Sequence, residues 1–238
     1  MKKGNIFFIM CIILITLLFC GSKNAMSMNT GFSTDSMTLE SQKNFLSNIQ
    51  LLLITEEPKK NSIQCFDVNY NEMIAIGSEN STEKTISVYN SSGNFQYGYQ
   101  FTCDGKFAVE WDNDNLIIYF VRSDIAALFD SNGNNLELRK IQDTIENNNY
   151  WNHSVNSTQR TVNGNHYCLK NNIGIFNVFA SSYSQLIKTN INGNTMIFYD
   201  FNREYKVKFI IEFISLTLFI ILVVTVIILQ FIKQNKLH

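Results

Sequence analysis

Residues 209–232 read FIIEFISLTLFIILVVTVIILQFI, and Glu212 is the only charged residue among them. A helix of about 24 residues, at a rise of about 1.5 Å per residue, spans roughly 36 Å and can cross the hydrocarbon core of a bilayer with some tilt. A helix in the core of a soluble domain is usually shorter and carries a polar stripe, whereas this segment is apolar on every side. The segment is therefore predicted to be a transmembrane helix, around which the rest of the chain is arranged.

The start of the chain has the composition of a secretory leader. Lys2 and Lys3 give it a positive start, residues 6–19 form an apolar run, and small residues precede Met28. The run is shorter than the roughly 20 residues that most membrane helices need. Residues 1–27 are therefore expected to be a signal peptide or, alternatively, an uncleaved N-terminal anchor.

The charges at the two ends predict how the chain is oriented. Both ends carry lysines without an acidic neighbour, and an excess of lysine marks the cytosolic side of a membrane. Residues 233–238 are therefore expected to be a cytoplasmic tail of a cell-membrane protein, and residues 28–208 to lie outside. This outer part has 14 Lys and Arg against 19 Asp and Glu. Such an acidic balance does not favour nucleic acid or anionic lipid as a partner.

The cysteines and the length predict one ectodomain with a hydrophobic core. Beyond the leader the chain has three cysteines, Cys65, Cys103 and Cys168. An odd number leaves at least one free thiol, so a disulfide scaffold is not expected. Cys65 and Cys168 lie in apolar strand patterns and are interpreted as small buried hydrophobic residues.

A turn that occurs three times predicts a repeated β-structure. The sequences YNSSGN, FDSNGN and TNINGN occupy residues 89–94, 129–134 and 189–194, and short apolar strands flank each of them. Gly at the fifth position allows the positive φ that a tight hairpin needs. The copies are about 40 and about 60 residues apart, which is typical of propeller blades of four antiparallel strands. Residues 62–205 are therefore predicted to form an all-β, propeller-like and possibly incomplete ectodomain of four-stranded units.

The remaining segments are interpreted around these units. A strand is predicted ahead of each turn, the last at residues 173–179, and the polar insertion at residues 142–159 is expected to be an exposed loop. Residues 28–61 form a short N-terminal segment that contains a helix or a strand. Three units are fewer than the four to eight that close a propeller. We expect residues 38–60 to cap a single domain, the alternative being closure with another copy or a partner.

One run supports a family resemblance. Residues 89–134, YNSSGNFQYGYQFTCDGKFAVEWDNDNLIIYFVRSDIAALFDSNGN, are similar to membrane-anchored proteins of uncharacterised function from clostridia and their relatives. The resemblance extends over about residues 62–205. It implies a propeller-like repeat outside a membrane anchor, and it implies no activity.

No motif in the sequence indicates catalysis, a cofactor or a metal. A Gly-x-Ser-x-Gly nucleophile turn is missing, and His153 and His166 are interpreted as structural residues. Residues 112–115, DNDN, begin like a calcium loop, but Ile117 stands where that loop needs Gly. We therefore predict a protein that is not an enzyme, with no catalytic, cofactor-binding or metal-binding residues.

Two groups of aromatic residues are the candidate partner contacts. Tyr150 and Trp151 lie in the polar insertion, where exposed aromatic rings often anchor a partner. Trp151 could instead fold back onto the edge of the last sheet. Tyr97 and Tyr99 belong to a strand face of four aromatic residues, for which core packing is the first interpretation and a binding platform the alternative.

The position of the domain limits its partners. About eight residues, 201–208, are expected to link the last strand to the membrane helix, so the domain lies close to the bilayer. We predict a non-catalytic extracellular interaction or sensing module with a membrane-proximal protein or a cell-wall polymer as partner. The alternative is an accessory subunit of a larger membrane complex for transport or envelope assembly, with the helix itself as the contact surface.

Overall fold

The computed structural model describes residues 28–80, 83–174, 177 and 180–235, with side chains up to residue 229. The leader predicted at residues 1–27 lies outside the described residues. The described part is mostly β, with three antiparallel sheets followed by one long apolar helix. The predicted β domain with a C-terminal apolar helix is confirmed at this level.

The strands and helices are numbered in chain order. The strands are β1 (Thr34–Ser36), β2 (Leu52–Ile54), β3 (Ile63–Val68), β4 (Ile74–Asn80), β5 (Glu83–Tyr89), β6 (Phe95–Thr102), β7 (Phe107–Asp112), β8 (Asn115–Phe120), β9 (Ile125–Phe129), β10 (Asn135–Ile141), β11 (Gln159–Val162), β12 (Asn165–Lys170), β13 (Gln185–Thr189) and β14 (Thr195–Asp200). The helices are α1 (Leu39–Ile49), α2 (Ile145–Tyr150), which continues as a π-helical turn (Trp151–Val155), and α3 (Asn202–Asn235).

Each sheet is an antiparallel run of consecutive strands. Sheet I has the order β2-β6-β5-β4-β3, sheet II the order β1-β10-β9-β8-β7, and sheet III the order β11-β12-β13-β14. Sheets I and II each gain a fifth strand, β2 and β1, from the N-terminal segment. The sheets of five, five and four strands therefore depart from the uniform four-stranded units that the sequence predicts.

The three repeated turns have the same geometry. Gly93, Gly133 and Gly193 have φ of 84°, 81° and 80°, and each donates its N–H at 2.9 Å to the carbonyl oxygen three residues earlier. The side chain of that earlier residue, Asn90, Asp130 or Asn190, accepts two further backbone N–H groups of its own turn. The predicted positive φ at the three glycines is confirmed.

Sheet I lies between two hydrophobic cores, because its successive side chains point to opposite faces. On β4, Ala75 packs in the core shared with sheet II, whereas Ile74 and Ile76 pack in the core shared with sheet III. All three are at most 1% exposed. Burial on both faces accounts for the nearly continuous apolar runs of this sheet.

The far face of sheet II is covered by the N-terminal segment and by the insertion. Phe32 packs edge-on against Tyr119 of β8, with ring centroids 5.0 Å apart, and Val155 of the insertion is buried in the same core. The prediction that residues 142–159 form an exposed loop is wrong, because most of the insertion is helical and it packs on the sheet. Residues 38–60 form α1 and the edge strand β2, and Phe45 and Ile49 of α1 pack against the core of sheets I and II.

The long helix α3 starts in the core of the domain. Phe201 and Tyr205, one helical turn apart, are each 8% exposed and pack with sheet III. Tyr205 donates its hydroxyl to the carbonyl oxygen of Ser182 at 3.2 Å, and Phe201 donates its N–H to the carbonyl oxygen of Ser184 at 2.9 Å. The expected linker at residues 201–208 is therefore wrong, because these residues are the first turns of the helix.

The strand predicted at residues 173–179 is not formed by the residues of this range that the structure describes, 173, 174 and 177. Four of its residues, 175, 176, 178 and 179, lie outside the described part. The third sheet instead takes its first strand, β11, from the end of the insertion. The spacing between the second and third turns is longer because the chain has additional residues between β10 and β11, at 142–158, and between β12 and β13, at 171–184.

We predict that Gly193→Val lowers the free energy of unfolding by about 1 kcal/mol or more, since valine would have to adopt a φ near 80°. No heavy atom beyond the chain neighbours lies within 4 Å of the position that a Cβ would take, so the cost comes from the backbone. Gly193→Asn is the matched control and should cost less, because Asn tolerates this conformation. Urea unfolding of the detergent-solubilised chain measures both; an unchanged Val variant would contradict the role of the turn.

Candidate functional site

One carboxylate joins the three sheets. Asp67 of sheet I is 8% exposed. Its side chain accepts the backbone N–H of Trp111 in sheet II at 2.8 Å and the Nε–H of Arg160 in sheet III at 2.6 Å. Its backbone oxygen also accepts the indole N–H of Trp111 at 3.3 Å. A buried charge needs such partners, because desolvation penalises an unpaired carboxylate strongly.

Arg160 extends this junction to the insertion. Its guanidinium donates to the carbonyl oxygens of Val155 at 3.3 Å, Ser157 at 3.2 Å and Gln159 at 3.0 Å. The same group lies over the ring of Phe66, 5.5 Å from its centroid. The planar guanidinium can serve all these acceptors at once because it presents five donors in a fixed geometry.

A second carboxylate, Glu110 of β7, lies beside the junction. It accepts short hydrogen bonds from the hydroxyls of Tyr119 and Tyr150, and Tyr119 is also 2.6 Å from the hydroxyl of Thr30. Burial raises the pKa of Glu110, and this effect outweighs the lowering by the two tyrosine hydroxyls. The charge state of Glu110 is therefore coupled to the packing of the insertion on sheet II.

Tyr150 and Trp151 are half-buried and contribute to this packing. Tyr150 lies edge-on to Phe32, with ring centroids 4.8 Å apart, and a Cβ on Gly31 would be only 2.2 Å from its ring. The ring of Trp151 is 5.9 Å from those of Phe32 and Tyr119. Trp151 also lines two cavities of about 230 and 300 Å³. Their use as a partner contact stays a prediction, since both residues are only half-buried.

Tyr97 and Tyr99 differ in accessibility. Tyr99 is 0% exposed and donates its hydroxyl to the backbone oxygen of Asp130 at 2.5 Å, so it has no surface to offer a partner in this fold. Tyr97 is half-buried, its ring centroid 5.6 Å from that of Tyr99, and burial raises its pKa to about 12. The aromatic strand face thus belongs mainly to the core, and only Tyr97 keeps partial access.

Burial favours the protonated form of two of the three thiols in the described part of the chain. Cys65, Cys103 and Cys168 are all free, and burial raises the pKa of Cys65 to about 12 and that of Cys103 to about 11. Protonated thiols are weak nucleophiles and poor metal ligands. Among the described residues, His, Cys, Asp and Glu form no cluster of three that could hold a metal ion.

The charged residues that connect the sheets are not among the site residues predicted from the sequence. Asp67 and Glu110 each interrupt an apolar strand, IQCFDV and FAVEWD, and a charge inside such a run is the signal that could have identified them. Glu72, in the β3–β4 turn, binds Lys188 of sheet III at 2.6 Å. The hydrogen bond from Lys188 is the main cause of the lowered pKa of Glu72, and Tyr167 contributes further.

The pKa shifts of Glu110 and Glu72 predict opposite pH dependences. Folding raises the pKa of Glu110, so its contribution to stability is greatest below the ordinary value of 4.5 and is lost as the pH rises through the folded pKa. Folding lowers the pKa of Glu72, so its contribution is present above 4.5 and is lost as the pH falls through the folded pKa.

Thermal unfolding of the wild type, Glu110→Gln and Glu72→Gln tests this pair from pH 7 to pH 3. The Tm of the wild type minus that of Glu110→Gln should increase as the pH falls toward 4.5. The Tm of the wild type minus that of Glu72→Gln should decrease below that pH. If both Tm differences changed with pH in the same direction, the two carboxylates would not have opposite pKa shifts.

Comparison with known proteins gives no relative from which a function could be transferred. No protein-family model, no curated protein and no solved structure matches the chain. The resemblance to clostridial membrane-anchored proteins accordingly stays a prediction, carried by residues 89–134 alone.

Proposed function

We propose that the chain is a membrane-anchored module whose three-sheet domain lies outside the cell and binds a partner near the membrane without catalysing a reaction. The observation that carries this proposal is the continuity between the domain and α3. The burial of Phe201 and Tyr205 in the core of the domain makes the apolar helix an extension of the fold. A domain held in this way is suited to binding at the bilayer surface.

The helix itself supports the membrane anchor. The segment Asn202–Leu229 is long and apolar enough to span a membrane, and none of its most apolar window is buried inside the structure. Thr217 and Thr225 donate their hydroxyls at 2.8 Å to the carbonyl oxygens of Phe213 and Ile221, which satisfies these polar groups within the helix. A bilayer is the environment in which such an exposed apolar surface is stable.

The arrangement of the sheets is interpreted as an incomplete propeller. The first strands of the three runs, β3, β7 and β11, meet at Asp67 through the bonds to Trp111 and Arg160. The N-terminal segment and the insertion then cover the face that a further blade would cover in a ring. Propellers and related repeats commonly serve as rigid binding platforms, and this likeness adds weight to a binding role without transferring a specific function.

The partner class follows from position and charge. The domain cannot extend far from the bilayer, because no linker separates it from the helix. Its outer part is acidic, with 14 basic and 19 acidic residues, which does not favour nucleic acid. We propose a membrane-proximal protein or a cell-wall polymer as the partner, with the half-buried Trp151 as the contact.

The orientation of the chain is tested by protease accessibility. We expect a protease added to intact cells to remove the domain and to leave a tag fused after His238 intact, because the basic end should remain in the cytosol. Permeabilised cells provide the control, in which the tag should also be digested. Loss of the tag in intact cells would contradict the proposed orientation.

Site-specific photo-crosslinking distinguishes the interaction module from an accessory subunit that binds through its helix. A photoreactive residue at exposed Asn152, beside Trp151, should give a protein or polymer adduct in intact cells. The same residue at Phe219 of α3, which is 63% exposed, should give lipid adducts alone. Exposed Ser91, in a turn of sheet I, is the matched control for random contact. Protein adducts from Phe219 and none from Asn152 would favour the accessory subunit.

A further inference from the structure

A groove lies between the base of the domain and the start of α3. Its volume is about 480 Å³, which falls within the roughly 300–1,000 Å³ of small-molecule sites. Its lining comes from sheet I, the loop before β7, the segment between β12 and β13 and the first turns of the helix. The polar residues that carry the argument are Gln64, Glu79, Lys106, Ser182, Lys208 and Glu212. We call it the basal groove.

The depth of the basal groove relative to the apolar helix segment sets its environment. Lys208 is the last residue before the apolar run, and Glu212 lies one turn further along. Both residues line the groove. In a chain anchored as proposed, the groove therefore opens at the level of the lipid headgroups, and the apolar side chains of α3 continue from it into the bilayer.

The charges of the basal groove are balanced toward the positive side. Glu79 is already paired, because the buried Lys84 lies 2.5 Å from its carboxylate. Lys106 and Lys208 are exposed and form no ion pair within the described part of the chain. The groove lining has two lysines and two glutamates, and because Glu79 is paired with Lys84, two lysines are available to an anion and Glu212 to a cation. This local charge differs from the acidic balance of the whole outer part.

The wall of the basal groove is fixed before any ligand arrives. Tyr205 donates to the carbonyl oxygen of Ser182 at 3.2 Å, and the hydroxyl of Ser182 lies 3.4 Å from that of Tyr205. Both residues are nearly buried and both line the groove. The distance between the helix and the sheets is therefore preset, which reduces the entropic cost of binding.

We propose that the basal groove binds a membrane lipid whose headgroup is a phosphodiester carrying a primary amine. Lys106 and Lys208 bind the phosphate, as lysines do through charge-assisted hydrogen bonds. Glu212 accepts a hydrogen bond from the ammonium group. The acyl chains lie along the apolar surface of α3. This inference rests on the proposed membrane anchor, and it names the lipid class that the anchored module would select.

Native mass spectrometry of the full chain in detergent tests the headgroup. The probes are phosphatidylethanolamine, phosphatidylglycerol and phosphatidylcholine with the same acyl chains, and glycerophosphoethanolamine as the soluble source of the same headgroup. We expect phosphatidylethanolamine to bind best, because the other two lipids lack a primary amine. Equal binding of the three lipids would overturn the proposal, and glycerophosphoethanolamine binding as tightly as the lipid would overturn the lipid source.

Two variants test the assigned roles. Lys106→Gln with Lys208→Gln should weaken binding of phosphatidylethanolamine by about tenfold or more, because both charge-assisted contacts to the phosphate are lost. Lys43→Gln with Lys59→Gln removes the same charge outside the groove and should leave binding unchanged. Glu212→Gln should reduce the preference for phosphatidylethanolamine over phosphatidylglycerol. Unchanged binding in the first double variant would overturn the site.

Two further readouts keep the outcomes separate. Circular dichroism of each variant shows whether the fold is retained, and the single variants Lys106→Gln and Lys208→Gln replace the double variant if it does not fold. Protection of the C-terminal tag in cells reports the anchor independently. A protected tag with equal binding of all three lipids would contradict the headgroup site alone, whereas a digested tag would contradict the proposed function.

Discussion

The ion pair between Asp67 and Arg160 is the constraint on which the arrangement of the sheets depends. Asp67 is buried, so it must find charged or N–H partners, and it finds them in the two other sheets, at Trp111 and Arg160. Removing one member of such a buried pair generally costs about 3–5 kcal/mol, because the remaining charge is left without compensation. Arg160 in turn binds carbonyl groups of the insertion. The ion pair of Asp67 and Arg160 is therefore a polar centre that the insertion shares with the three sheets. The hydrophobic cores on either side of sheet I stabilise the domain without specifying how the sheets are placed. The directional bonds of the polar centre specify that placement.

The sequence predicts the local features well, because they depend on few neighbouring residues. The turn around Gly193 is specified by that glycine and by Asn190, which accepts two N–H groups within five residues. The polar centre escaped prediction because its members are far apart in the chain: Asp67 and Arg160 are separated by 93 residues. Alternation of apolar residues identifies a strand, but it does not say which strand of another sheet its charged residue will meet.

The insertion shows how composition can mislead. Its many asparagines suggest an exposed loop, yet Asn147 is 4% exposed. The side-chain amide of Asn147 accepts the N–H of Ser33 at 2.8 Å and donates to the carbonyl oxygens of Ser33 at 2.9 Å and Gln142 at 2.6 Å. A buried polar residue is stable when its hydrogen bonds are satisfied, and here the amide of Asn147 connects the insertion to the residue before β1. Composition is a poor guide at residues 201–208 as well. Their polar residues resemble a linker, yet two aromatic residues one helical turn apart, Phe201 and Tyr205, pack in the core.

Because α3 starts directly in the core of the domain, the helix and the domain are joined without a flexible linker. In a bilayer, as proposed for this helix, an apolar segment of roughly 36 Å is longer than a hydrocarbon core of about 30 Å, and tilting, by an angle that increases where the bilayer is thinner, is one way to fit it. A flexible linker would allow the helix to tilt without turning the domain. Because Phe201 and Tyr205 fix the first turn of the helix to sheet III, the domain of a chain anchored as proposed would rotate with the helix, and the face that it presents to its surroundings would depend on the thickness of the membrane.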